Sequence, residues 1–162
     1  MRGASQPSAT PPAALVESSF VVPVTCTEAF SRLADPRLLD VMTPTWFRLQ
    51  ILTSGPMLTV GSQIHYRIRW RGFPFRWQSE ITHWQSPHRF TYRQVRGPFK
   101  YFEHEHLFQE EEGGTRVTDR IRFHAPGGSL VQRAIVAPEL RRILSHRRRC
   151  AIDRLADPRS RR

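Results

Sequence analysis

Seven extended segments followed by one long helical segment predict an α+β domain. Its expected form is a seven-stranded antiparallel curved sheet wrapped around one long C-terminal helix. Three observations carry this prediction. Apolar and polar residues alternate with a period of two through Ile64–Phe123. Gly72-Phe73-Pro74, Ser86-Pro87-His88 and Glu111-Glu112-Gly113-Gly114 mark turns too short for the crossovers that parallel strands need. From Leu130 onward the period changes to three and four.

The elements follow in order. Ser18–Val24 is apolar and β-branched and reads as a strand. Thr25 and Glu28 have the spacing of a capping box, so a short helix is expected over Thr27–Ala34. Asp35-Pro36 stops it, because the residue before proline avoids helical angles. A second short helix is expected over Pro36–Val41, then a strand over Phe47–Thr53. Gly55-Pro56 and Gly61 punctuate the next loop. Strands follow at Ile64–Trp70, Phe75–Trp84, Arg89–Gln94, Phe99–Gln109 and Arg116–Phe123. In the last segment, Leu130, Ala134, Ala137, Leu140 and Leu144 recur at helical spacing, as do Leu140, Ile143, Arg147 and Cys150. Pro138 falls inside this pattern and should kink or split the helix.

The chain has 162 residues, enough for one domain, here placed at 17–156. Residues 1–16, rich in Pro, Ser and Ala, read as a disordered lead-in, and 157–162 as a basic tail. Aromatic residues make up 10% of the chain, too many for a disordered one. No apolar run approaches the roughly 20 residues of a membrane span. The start of the chain lacks the apolar core of a secretory signal, so a cytoplasmic location is expected. Cys26 and Cys150 are too few for a disulfide framework or a four-ligand zinc site.

The formal net charge is +11, and nine arginines crowd residues 141–162 against Asp153 and Asp157. Arg141, Arg142, Arg147, Arg148 and Arg149 read either as a solvated helix face or as a weak contact for an anionic surface. No nucleic-acid motif is present and no aromatics interleave with these arginines, so specific nucleic-acid binding is not expected. The sheet edges leave a monomer or a homodimer open.

The hairpin over residues 101–123 points to a site. Arg116, Arg120 and Arg122 share one face of its second strand, opposite Glu103 and Glu105. Buried unpaired arginine is costly, so this face should lie outside, its ion pairs exposed and worth a few tenths of a kcal/mol each. The inner face then carries Phe102, His104, His106 and Phe108 against Val117, Asp119, Ile121 and Phe123. Pairing Phe108 with Val117 sets His106 opposite Asp119. Such a pair can satisfy itself and fix sheet register, or it can orient a ligand or handle protons. No metal is expected: His-Glu-His on a strand is not the helical H-E-x-x-H spacing, and no fourth ligand stands nearby. Trp46, Tyr66, Trp70, Trp77, Phe90, Tyr92 and Phe102 are further inward candidates, many for one small domain.

Several pieces of the chain resemble the helix-grip, START-like superfamily known as SRPBCC, in particular its bacterial stand-alone ligand-binding members. They are Thr43-Pro44-Thr45-Trp46-Phe47, Phe73-Pro74-Phe75-Arg76-Trp77, Arg96-Gly97-Pro98-Phe99, the His104/His106/Phe108 strand, Gly113-Gly114-Thr115 leading to Asp119, and the basic stretch Ile143 to Arg148. Position 102 is Phe where many relatives carry Trp. The resemblance implies a hydrophobic cavity between sheet and long helix, holding a lipid, polyketide, quinone or aromatic metabolite without a cofactor. The expected lining is Trp46, Tyr66, Trp77, Tyr92, Phe102, His104 and His106. The first functional expectation is a carrier or sensor. The alternative is a cyclase, dehydratase or hydrolase in which His106 acts as general acid/base, oriented by Asp119. A third is an interaction protein acting through the arginine-rich helix.

Overall fold

The computed structural model describes residues 13–52 and 58–156. Residues 1–12 of the expected lead-in, Thr53, the Gly55-Pro56 punctuation and the tail 157–162 lie outside the described residues. The elements are β1 (Ala14–Val22), α1 (Cys26–Leu33), α2 (Pro36–Val41), β2 (Phe47–Ile51), β3 (Gln63–Trp70), β4 (Phe73–Gln85), β5 (Arg89–Arg96), β6 (Tyr101–Glu111), β7 (Gly114–His124), α3 (Gly128–Val131), a π-helical turn (Gln132–Val136) and α4 (Ala137–Ala156). The seven strands form one antiparallel sheet in the order β1-β7-β6-β5-β4-β3-β2. The α+β expectation and the strand count both hold.

Three local readings are corrected and one is refined. β1 begins at Ala14, inside the expected lead-in, because Ala14, Leu15 and Val16 pair with Phe123, Arg122 and Ile121 of β7. The β3–β4 turn is Arg71-Gly72, both at positive φ (50° and 88°), and Pro74 lies within β4. That two-residue geometry matches the strand twist, so the turn closes earlier than Gly72-Phe73-Pro74. The terminal segment divides next to Pro138, as expected, into a short helix, α3, and a long one, α4, with the π-helical turn between them. That turn, Gln132–Val136, ends two residues before Pro138, which has no amide hydrogen to donate. Finally, Glu105 is buried on the outer face, not exposed. Arg89 contacts it at 2.9 Å, and Arg120 and Arg122 approach at 3.8 and 3.7 Å, their long stems covering the carboxylate.

Local chemistry accounts for the remaining frame. The Thr25 side chain accepts a hydrogen bond from the Glu28 amide at 3.2 Å and caps α1. Two register shifts between β4 and β5 bend the 13-residue β4 and curl the sheet. Gly114 lies so close to β1 that an added Cβ would stand 2.0 Å from the Val22 carbonyl oxygen.

The core has three parts. One closes the end of the sheet where Phe30 of α1 packs edge-on against Trp84, Phe90 and Phe108, beside Ala151 and Leu155 of α4. A second joins Val16, Ile121 and Phe123 to Ala137, Leu140 and Leu144. The third, Ile64, Tyr66, Ile68 and Trp77 on β3 and β4, is flanked by Leu39 of α2 but by no residue of α4. α4 packs most closely on β1, so the far wall of the curled sheet is left facing open space.

Candidate functional site

That space is a cavity of about 560 Å³, inside the 300–1,000 Å³ range of small-molecule sites. β2 to β7 form its wall, α4 its cover and α2 one flank. Phe73 at the start of β4 and Ile135 on the π-helical turn both line it and are exposed, which sets them at the mouth. Burial follows the alternation of the strands: Ile64, Tyr66 and Ile68 point in from β3, while Arg67 and Arg69 point out.

Six of the seven expected lining residues are brought together. Tyr66, Trp77, Tyr92, Phe102, His104 and His106 all face the cavity. Trp77 meets Phe102 edge to face at 4.8 Å, and its indole N–H donates to the Ser79 hydroxyl at 2.9 Å. Trp46 does not line the cavity. It sits outside, 39% exposed, donating from its indole to Glu139 Oε1 at 3.1 Å, with the Arg142 guanidinium 4.9 Å over its ring. Trp46 therefore latches the segment after α2 onto α4. Phe90 is also core rather than lining, fully buried against Phe30 and Phe108.

The expected β6–β7 register holds, with His106 opposite Asp119 and Phe108 opposite Val117. His106 Nδ1 lies 2.5 Å from Asp119 Oδ1, and His104 Nε2 lies 3.4 Å from the same oxygen. The two imidazoles stack at 4.0 Å, and Phe90 backs His106 at 4.3 Å. Both imidazoles line the cavity, while Asp119 stands behind them. Burial lowers the pKa of His106 to about 3; the neighbouring His104 adds to this and Asp119 opposes it. Burial likewise lowers His104. Burial works against the Asp119 carboxylate, but the two facing histidines outweigh it and hold the carboxyl well below its ordinary value. Burial raises Tyr66, and raises Tyr92 to about 12, so both hydroxyls stay protonated at neutral pH.

His104, His106 and Asp119 bring their donor atoms within 4.8 Å of one another, a spacing that can hold a metal ion. Against a dication stands Arg147, whose charge also disfavours protonation of both histidines. Arg147 is the residue that the sequence reading misplaced. It lines the cavity instead of joining the exposed arginine face, whereas Arg141, Arg148 and Arg149 are exposed and Arg142 is paired with Glu139 at 3.4 Å. Trp70, Ser79, Ile143 and Leu144 line the cavity as well.

The family described as polyketide cyclase/dehydrase and lipid transport matches residues 13–157. The chain belongs to that family. The helix-grip architecture accordingly recurs in solved structures. Protein CV1439 from Chromobacterium violaceum superposes with a TM-score of 0.71 at 10% identity, covering 88% of this chain and 97% of that one. Protein Ms6760 from Mycobacterium smegmatis gives 0.61 at 20% identity, covering 86% of each. The di-domain ARO/CYC StfQ of the steffimycin biosynthetic pathway gives 0.66 at 16% identity, covering 92% of this chain and 52% of that one. At these identities the likeness is one of fold. No curated protein matches the sequence. Among the described residues, no helix is long and apolar enough to cross a membrane.

Proposed function

We propose that this protein binds a small hydrophobic molecule between sheet and C-terminal helix, as a carrier or sensor. Lipids, polyketides, quinones and aromatic metabolites fit the description. The observation that supports this most is the cavity itself, large enough for such a molecule and walled by Trp77, Phe102, Phe99, Ile64, Ile68 and Leu144. An unfilled apolar space forfeits dispersion contacts and destabilises a fold. An apolar guest restores those contacts.

The alternative is a cyclase-, dehydratase- or hydrolase-type enzyme with His106 as general acid/base and Asp119 as its orienter. The two imidazoles on the cavity wall, backed by a carboxylate, favour it. The low proton affinity of His106 weighs against it, because a group that titrates near 3 is a weak base at neutral pH.

The test is a fluorescence titration with N-phenyl-1-naphthylamine, a neutral apolar probe that brightens on leaving water. The expected result is saturable 1:1 binding, lost in Ile143→Trp, which fills the cavity from α4. No saturable binding, or equal binding by Ile143→Trp, would overturn the carrier reading. Turnover of any bound ligand that disappears in His106→Asn would establish the enzyme instead.

A further inference from the structure

Along α4, the buried residues Leu140, Leu144, Ala151 and Leu155 form the stripe that faces the sheet. Steps of four and three along that stripe run from Leu140 through Leu144 to residue 147, and then on to Ala151. At 147 stands an arginine. Its neighbours Arg148 and Arg149 reach solvent, but Arg147 is partly buried and lines the cavity. Its Nε is shut off from solvent and has no hydrogen-bond acceptor. Among the described residues, no carboxylate pairs with it. Glu139, the other charged side chain of α4 at the cavity, is taken by Trp46 and Arg142. Asp119 stands against the two histidines, behind the cavity wall. A guanidinium keeps its charge at any ordinary pH, so one placed in an apolar wall without a partner is a costly arrangement. It becomes favourable when an oxyanion enters the cavity.

The surroundings suit an oxyanion. Arg147 is close enough to Tyr66, Tyr92, His104 and His106 for its charge to act on all four. No hydrogen bond from either tyrosine hydroxyl to another described residue is present, so both remain free to donate. The adjoining wall, where Trp77 pairs with Tyr66 across β3 and β4 and meets Phe102 edge to face, is aromatic. We propose that the natural ligand is an amphipathic carboxylate, its apolar body against Trp77 and Phe102 and its carboxylate on Arg147, assisted by Tyr66 and Tyr92. This rests on the ligand-binding reading above and adds the charge of the ligand to it.

The test compares decanoate with decan-1-ol, two probes of equal chain length, at pH 7.5, followed by tryptophan fluorescence. The wild-type protein is expected to bind decanoate about tenfold more tightly or better, as befits a charge-assisted contact. Arg147→Met should bring the two affinities together while keeping decanol binding, and Arg147→Lys should retain part of the preference. Methionine continues the apolar stripe, so Arg147→Met should fold, with a thermal midpoint at or above the wild type. Equal binding of both probes by the wild type, or a carboxylate preference that survives in Arg147→Met, would overturn this inference and leave the cavity reading standing. Binding of neither probe, by any form of the protein, would overturn both.

Discussion

Acid should destabilise this protein well above the pH at which carboxylates titrate, and His106 should be a main cause. An unfolded histidine titrates near 6.5, whereas burial holds His106 at about 3 in the fold. Between these values the unfolded chain binds a proton that the folded chain refuses. The stabilisation is therefore complete above about pH 6.5 and is lost as pH falls toward 3. Each pH unit in that window is worth about 1.4 kcal/mol, so His106 alone contributes a loss of about 2 kcal/mol between pH 7 and pH 5. His104 acts in the same direction. Asp119, held below its usual 3.8, adds its own loss only when pH falls below that value, outside the interval tested. Urea unfolding of a domain this size has a slope of roughly 1–3 kcal/mol per molar, so the midpoint should fall by about 1 M from His106 alone. His106→Gln keeps a donor for Asp119 but cannot titrate. Its midpoint should change less between the two pH values, by about 2 kcal/mol of stability. Identical wild-type midpoints at pH 7 and pH 5, or the same pH dependence in His106→Gln, would rule out buried neutral His106 as a cause of acid destabilisation.

Three further outcomes follow from the packing. Phe90→Ala empties a fully buried position between Phe30, Phe108 and Trp84 and should cost about 3–5 kcal/mol, lowering the thermal midpoint by roughly 10 °C in a calorimetric scan. Gly114→Ala drives a methyl group into the Val22 carbonyl and should cost about 1–3 kcal/mol, with faster amide exchange at the joined ends of β1 and β7. Trp46→Phe removes the donor to Glu139 and should cost about 1 kcal/mol by urea titration while leaving probe affinity unchanged, because Trp46 lies outside the cavity. A large loss of affinity in that variant would return Trp46 to the binding site.

The hairpin of β6 and β7 was legible because its two faces differ in chemistry. Glutamates face arginines on one side, and the other side is apolar apart from His104, His106 and Asp119. A slip of one residue would bury three arginines, so the register could be read directly. The capping box at Thr25 and the stop at Pro36 were equally plain. Other features left no such trace. The π-helical turn before Pro138 is a matter of backbone geometry, which residue type does not encode. Trp46 sits between elements, where no period says which way a side chain points. Arg147 is different, since its position was legible and its chemistry misled. The spacing of Leu140, Ile143, Arg147 and Cys150 already aligns it with the inner face of α4, but it stands among Arg148 and Arg149, and charge alone groups it with them. Helical spacing outweighs composition where the two disagree about direction.

The proposed function requires that the space between the curled sheet and α4 hold a small molecule. Native mass spectrometry tests it most directly, on protein incubated with an organic extract of bacterial lipids and aromatic metabolites and then freed of excess. The expected result is a discrete one-to-one adduct that vanishes on denaturation and is absent when Ile143→Trp fills the cavity. A bare-chain mass throughout, or an adduct of equal intensity in the filled variant, would contradict it.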